Sequence, residues 1–293
     1  MDHATEVTLM EELMRLHSQK SAFLDESVSH SPALQYFDEE TFQAEQARIF
    51  RQMPHALAHI SELPKSGSFI RRQLAGLPVL LTRDEDNQIH AFLNVCRHRG
   101  TQLESATEGC KHRFSCPYHA WTWDNRGELL RIPHEDQGFP AMDKKALGLK
   151  RLGCVNKYGM IWVSPMGEET PDVDEMLAGL GQDFDWVDIE NAKVTHSEEK
   201  TWAVNWKIVT ETGLEAYHFR VAHRKTIAPY FHDNLSSYQQ FGPHIRSILA
   251  KKTLTELADT PREHWRVRDH AQVLYTVFPS SAFLVQSDHV FWL

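Results

Sequence analysis

Between Cys96 and Trp121 the sequence reads CRHRGTQLESATEGCKHRFSCPYHAW, three cysteines and three histidines in 26 residues, in a chain with one further cysteine, Cys154. Cys96 and His98 make a C-x-H pair, Cys116 and His119 a C-x-x-H pair, and 17 residues lie between His98 and Cys116. Each pair stands at the end of an expected strand. The spacer can therefore bring two loops face to face, each offering one thiolate and one imidazole. A [2Fe-2S] cluster with two Cys on one iron and two His on the other needs that arrangement. Zinc also accepts two Cys and two His, but its knuckles usually pair like with like, a C-x-x-C arm with a His-rich arm. Cys110 and His112 spell a second C-x-H, yet only three residues separate His112 from Cys116, too few for two opposed loops. Cys110 and Cys154 read as ordinary thiols.

The run CRHRG followed by CPYHAW resembles the Rieske domain family, ligands and flanking residues together. The resemblance implies that Cys96, His98, Cys116 and His119 hold the cluster, and that Tyr118 hydrogen-bonds near it and tunes its potential. Neither loop carries the additional cysteine of the respiratory type, so these are loops of the soluble oxygenase type.

A second chemical stretch is NWKIVTETGLEAYHFRVAH, Asn205 to His223. Asn205 is a plausible N-cap, and Trp206, Val209, Gly213 and Tyr217 recur at helical spacing as one packed side. Lys207, Glu211, Glu215 and His218 form a stripe of ionisable groups on another side. Such a stripe is commonly a solvated face, and Lys207 and Glu211 fit that account equally well. The EAYHFRVAH core, however, resembles the catalytic signature of Rieske non-haem iron oxygenases, in which both histidines bind a mononuclear iron. By that resemblance His218 and His223 are iron ligands, two thirds of a facial triad that leaves positions open for dioxygen. The two are five residues apart, about 140° around an ideal helix. The helix is therefore expected to bulge or end between them. Family subunits assemble head to tail as trimers, and Glu215 would bridge His218 to His119 of the neighbouring subunit.

These loops need scaffolds. Residues 1–51 read as a helical segment: YFDEETFQAEQARIF opens on an acidic cap and offers Phe42, Ala47, Ile49 and Phe50 to a buried face. Residues 52–165 read as β, with hairpins around Asp124–Gly127 and Lys157–Gly159. An acidic linker with a short helix follows, and 166–293 mixes strands and helices. The class is α+β, and the resemblance implies an all-β Rieske domain inserted near the N-terminus of a helix-grip (START/Bet v 1-like) catalytic domain. Composition is that of a soluble globular protein, 41% hydrophobic and 24% charged. The opening residues show no secretory signal and no apolar run long enough to span a bilayer, so a cytoplasmic location is expected. A formal charge of −9 argues against nucleic acid.

The whole reads as the terminal (α) component of a Rieske oxygenase, with a [2Fe-2S] cluster and a mononuclear non-haem Fe(II). Its partners would be dioxygen, a small organic substrate and an NAD(P)H-dependent reductase, with or without a ferredoxin, because no GxGxxG fingerprint is present. Arg97, Arg99, Lys111 and Arg113 offer a basic landing patch for that donor. Glu215, where many ring dioxygenases place Asp, tilts the reading toward hydroxylation or demethylation of quaternary and tertiary amines over aromatic ring dihydroxylation. Trp202, Trp206 and Tyr217 are candidates for an aromatic cage around a cation. The rival class is an electron carrier, or a degenerate oxygenase without the iron. The family's third, carboxylate iron ligand lies well downstream. Asp288 is the late carboxylate nearest that role, but it sits early and on an expected strand. A sequence stopping at Phe291, Trp292 and Leu293, inside an apolar strand, reads as one whose continuation carries that ligand.

Overall fold

The computed structural model describes all residues, 1–293. The first elements are α1 (His3–Ser18) and α2 (Glu39–Glu45). Eleven strands and one short helix follow: β1 (His55–His59), β2 (Ser68–Leu74), β3 (Leu77–Arg83), β4 (Ile89–Leu93), β5 (Glu108–Cys110), β6 (Arg113–Ser115), β7 (Thr122–Asp124), β8 (Leu129–Arg131), α3 (Glu135–Gly138), β9 (Arg151–Leu152), β10 (Cys154–Lys157) and β11 (Met160–Val163). Beyond them come α4 (Val173–Leu177), α5 (Gly181–Val187), α6 (Trp206–Gly213), α7 (Phe219–Ala222), β12 (Phe231–Phe241), β13 (His244–Lys251), α8 (Val267–His270), β14 (Ala271–Val277), β15 (Ser281–Val285) and β16 (Val290–Trp292). No helix is long and apolar enough to cross a membrane.

The chain forms two compact units, one of residues 44–173 with 188–198, the other of 1–43, 174–187 and 199–293. The β unit is thus an insertion in the sequence of the α+β unit. Both of its main limits fall outside the 52–165 span expected from the sequence. Residues 188–198 also return to it: His59 Nε2 lies 2.9 Å from the Ile189 carbonyl oxygen, and the Val194 N–H donates to Ser61 Oγ at 3.0 Å.

The inserted unit holds three antiparallel sheets, ordered β1-β11-β10, β5-β2-β3-β4-β9 and β6-β7-β8. Both expected hairpins form. At the β7–β8 turn Gly127 has φ +80°, and a Cβ there would come within 2.4 Å of the Phe92 ring. At the β10–β11 turn Tyr158 and Gly159 both have positive φ, the geometry a two-residue hairpin demands. One core cluster gathers Phe69, Phe92, Phe114, Trp121 and Trp123 around Cys96 and Cys116.

The other unit is built on the antiparallel sheet β12-β13-β14-β15-β16. Its register pairs Tyr238 with Ser247 and Ser247 with Leu274, so these share one face. Gln239, Arg246, Tyr275 and Phe283 share the other. Phe184 of α5 covers this second face, 6.2 Å from Tyr275 and 5.0 Å from Phe283 between ring centroids. Ser237 of the same face donates to Glu12 of α1. On the first face a Cβ at Gly213, the end of α6, would lie 3.8 Å from Leu274.

Two expectations about helices are corrected. Asp38 does cap α2, accepting the Thr41 N–H at 2.8 Å. No residue from Glu39 to Phe50 is fully buried, however, and Phe42 is 38% exposed. The helix gives way at Gln46 to a wider π-type turn through Phe50, which breaks the spacing that would align Phe42, Ala47, Ile49 and Phe50. The side of α6 expected to pack is likewise turned outward, with Val209 45% exposed and Tyr217, beyond the helix, 72%. Of that side, Trp206 is half-buried, 6.1 Å from the Phe278 ring, and Gly213 comes near Leu274 of the sheet, while the buried residue is Ala216, which lies off it and past the helix end.

Beneath the second face Arg246 Nη1 meets Asp183 Oδ2 at 2.6 Å, both residues under 5% exposed, with the guanidinium 5.2 Å from the Phe241 ring centroid. Removing one member of a buried pair costs up to about 3–5 kcal/mol when the other charge is left alone; Asp183 also meets the N-terminal ammonium at 3.1 Å, which offsets part of the loss. Arg246→Met is expected to lower the denaturation midpoint by a corresponding amount. Adding Asp183→Asn should cost less than the sum of the single changes, and strict additivity in the double-mutant cycle would show the pair is not coupled.

Candidate functional site

The two cysteine–histidine loops follow one backbone plan. Val95 bridges Gln102 and Ser115 pairs with Thr122, so each loop is a six-residue tip, Cys96–Thr101 and Cys116–Trp121. In each, the cysteine N–H donates to the sixth residue's carbonyl at 2.8 Å, and the fifth residue's N–H returns to the cysteine carbonyl, at 3.0 Å from Gly100 and 2.9 Å from Ala120. That fifth position is left-handed in both, φ +76° at Gly100 and +56° at Ala120. A non-glycine residue there costs roughly 1–2 kcal/mol. The first tip is further tied by Asn94, whose amide donates to the Glu104 carbonyl at 2.8 Å and whose oxygen accepts the Glu104 N–H at 2.9 Å.

The tips place both thiols inside and both imidazoles toward the surface. Cys96 and Cys116 are each 3% exposed, and neither is in a disulfide. The His98 and His119 rings lie 4.8 Å apart. Trp121 stacks flat on His98, 4.7 Å between centroids and 4° between planes. Burial pushes the Cys96 thiol up, the His98 and Arg99 N–H groups pull it down, and the neighbouring Cys116 raises it again. Burial first, then His119 and Arg99, holds His98 below the usual imidazole range, which keeps it neutral as ligation requires.

These residues fit a [2Fe-2S] cluster. His98 Nδ1 is buried with no hydrogen-bond partner, a costly lone pair that an iron would satisfy. Nowhere do three or more His, Cys, Asp or Glu side chains close around one point. Zinc would gather all four ligands on a single ion, whereas a cluster keeps the thiols on one iron and the imidazoles on the other. Tyr118, 60% exposed, lays its ring 3.9 Å from that of His119, and its hydroxyl makes no hydrogen bond within the chain. Arg97, Arg99 and Arg113 are exposed, but Lys111 is committed to Glu104. Cys154 is half-buried and its thiol is pushed up to about 11 by burial.

In the other unit, the helix break falls earlier than expected. Asn205 does cap α6, accepting the Lys207 N–H at 3.0 Å, but the helix ends at Gly213. His218 and His223 then flank the single turn α7 as its N-cap and C-cap. This brings the rings to 5.1 Å between centroids. Glu215 clamps the first: one carboxylate oxygen takes His218 Nδ1 and the other accepts the His218 N–H at 3.0 Å. His223 Nδ1 lies 3.5 Å from Thr226 Oγ1. With Nδ1 engaged in each ring, the Nε2 atoms are the nitrogens that could take a metal, and paired imidazoles suit Fe(II).

Other predicted residues are not brought to this pair. Glu211 accepts from the Tyr36 hydroxyl at 2.8 Å, and the Lys207 ammonium lies 5.8 Å from the Tyr36 ring. Asp288 sits in the β15–β16 turn, bonded to the adjacent His289 at 2.7 Å. Trp202 and Tyr217 are 64% and 72% exposed, so they do not close a cage. Sequence reasoning missed Phe219, whose ring lies 5.0 Å from His218 and 6.0 Å from His223. It also missed Trp121 as the ring on His98, although the CPYHAW run names it.

A β domain with paired Cys–His tips, inserted in an α+β domain carrying a clamped histidine pair, defines a two-centre iron protein. Comparison with known families agrees. A model of the Rieske [2Fe-2S] domain matches residues 53–158, and one of the ring hydroxylating alpha subunit (catalytic domain) matches residues 187–293. The chain belongs to the Rieske oxygenase alpha subunits. Its two domains imply a Rieske cluster and a mononuclear iron.

The glycine betaine monooxygenase oxygenase subunit of Pseudomonas aeruginosa is 36% identical over 188 residues, 64% of this chain and 43% of that protein. The chain thus spans less than half the length of this relative. Among solved structures, a quaternary ammonium Rieske monooxygenase, CntA, matches with a TM-score of 0.78 at 23% identity, over 89% of this chain and 69% of that one. Naphthalene 1,2-dioxygenase from a Rhodococcus species matches with a TM-score of 0.75 at 23% identity, over 95% and 68%. At these identities the two structures speak for the fold.

If His98 and His119 ligate by imidazole, replacing either with Cys should abolish the Rieske EPR signal or shift it to that of an all-thiolate cluster, with a lower potential. An unchanged signal in both variants would remove them from the ligand set.

Proposed function

We propose that this protein is the terminal oxygenase of a multicomponent system. It hydroxylates or oxidatively demethylates a small organic amine, using dioxygen and electrons from an NAD(P)H-dependent reductase, directly or through a ferredoxin. It works as a homotrimer in the cytoplasm. The observation that carries this reading is the Glu215–His218–His223 arrangement, two imidazoles 5.1 Å apart with the first held through Nδ1. When bound, the cluster supplies single electrons and the mononuclear iron supplies dioxygen activation.

The chain's own residues supply position and proton control. Glu215 accepts a hydrogen bond from the Nδ1–H of His218, which fixes the tautomer and leaves Nε2 basic. Its second oxygen, expected to be free for a neighbouring subunit's His119, already accepts one N–H. A carboxylate oxygen has a second lone pair, so the bridge remains geometrically open. Arg97, Arg99 and Arg113 give an otherwise acidic chain a basic surface beside the cluster, suited to an acidic electron donor. The amine reading is supported by the 36% identity to a glycine betaine monooxygenase subunit and by Glu215 in place of Asp.

Metal analysis tests the reading. An oxygenase should hold about three irons per two acid-labile sulfides, and two per two would indicate a cluster-only carrier. Glu215→Gln should keep both centres and lower coupled turnover by roughly 10–100-fold, the usual loss when a ligand's supporting hydrogen bond is removed. Reoxidation of the pre-reduced cluster by oxygen and substrate at the wild-type rate would show that Glu215 is not the link.

A further inference from the structure

Phe219 has two sides. One faces the His218 and His223 rings, and beyond the other lies Phe231, 5.7 Å away. There a cleft of about 200 Å³ opens, walled by Phe219, Phe231 and Ala228 and rimmed by Arg220, His232, Asp233 and Lys252. Sites for drug-sized ligands run to roughly 300–1,000 Å³, so this one suits a smaller molecule.

The rim's polar groups are unequally satisfied. Arg220 Nη1 and Asp233 Oδ2 pair at 3.3 Å and offset one another. The exposed Lys252 ammonium makes no ion pair. His232 Nε2 is buried without a hydrogen-bond partner, and the His17 ring of α1 stands 4.6 Å from it at 61°. Burial, then the nearby His17 and Lys252, push His232 below the usual imidazole range, so its surroundings withhold a counter-charge. An unpaired ammonium and an unpaired imidazole nitrogen on an apolar wall make one coherent set. His232 turns its other ring nitrogen to the Lys252 backbone carbonyl. A carboxylate or sulfonate in the cleft would therefore accept from Lys252 Nζ with one oxygen and, by its charge, favour taking up a solvent proton on His232 Nε2, which then donates to the other oxygen, both as charge-assisted bonds. The Phe219–Phe231 wall would take the ligand's short apolar body.

We propose that this cleft binds the anionic end of a small organic acid and acts as a specificity subsite. As a substrate subsite it rests on the oxygenase reading; as an anion site it stands without it. A neutral hydrocarbon would leave both polar groups unmatched, whereas a zwitterionic amine carrying a carboxylate would satisfy them.

Calorimetric titration of the full chain, without reductant, tests this with acid and alcohol pairs: glycine betaine against choline, benzoate against benzyl alcohol, with acetate as the bare anion. Each acid is expected to bind about tenfold or more tightly than its alcohol, the size of a charge-assisted hydrogen bond. Lys252→Met and His232→Phe should each shrink that preference while the cluster's visible spectrum stays unchanged. Acids well above acetate would identify the substrate's own end as the occupant, and acetate equal to the acids would identify a free carboxylate. Equal binding of acid and alcohol, or an undiminished preference in Lys252→Met, overturns the proposal. Acid preference in a protein that never turns over would overturn the oxygenase reading alone.

Discussion

Two backbone hydrogen bonds govern the inserted unit: Cys96 N–H to the Thr101 carbonyl, and Cys116 N–H to the Trp121 carbonyl. A chain that reverses within six residues must point its first side chain to the inside of the turn, and here that side chain is a thiol. The strands are arranged to supply the stems. β6 and β7 are three residues each, long enough only to present the second tip, and Trp121, Trp123 and Phe114 pack where the thiols enter the core. Asn94, fully buried, does for the first tip what a strand partner does for the second. Because both tips obey one plan, the left-handed residue that closes each is structural, and Ala120 takes the conformation that Gly100 takes without strain.

His98 and the His218–His223 pair leave opposite ends of the imidazole free. At the cluster tips His98 keeps Nδ1 buried and unpartnered, so the ring nitrogen nearer the backbone is the one offered. At the histidine pair Nδ1 is engaged, by Glu215 or near Thr226, and the outer nitrogen is left. Ligation through Nδ1 draws a metal close to the rigid tips. Ligation through Nε2 holds it a ring's width away from the chain. The first suits a centre that only exchanges electrons, the second a centre that must share space with other molecules.

Legibility followed locality. The tips that carry Cys96, His98, Cys116 and His119 were readable because spacing and turn residues fix a tip within six residues, and the Asp124–Gly127 and Lys157–Gly159 turns were readable for the same reason. The α+β class and the contact of Glu215 with His218 came from the same short-range pattern. Residues 188–198 were not readable: nothing local tells Ile189 to meet His59. The burial of α6 was misjudged because helical spacing assumes the helix runs on to Tyr217, while it ends at Gly213 and the chain beyond buries Ala216 and leaves Tyr217 outside. The helix was expected to fail between His218 and His223. It fails at Gly213, where a flexible residue precedes the Glu215 carboxylate that captures the His218 N–H.

The interleaving of the two units sets the order in which they can form during synthesis. The segments of the inserted unit all lie between residues 44 and 198, so it can close as soon as that length has emerged. Helix α1 cannot: Glu12 meets Ser237 and Glu6 accepts the Val267 N–H, partners made 225 and 261 residues later. At a translation speed of about 5–20 residues per second, α1 waits roughly 10–50 seconds with its apolar side uncovered. Leu9, Met10, Leu13 and Leu16, all buried in the finished fold, are through that interval a sticky helix on a nascent chain. Helix α1 is therefore exposed to chaperones and to misassociation through that interval, and β12 and α8 release it.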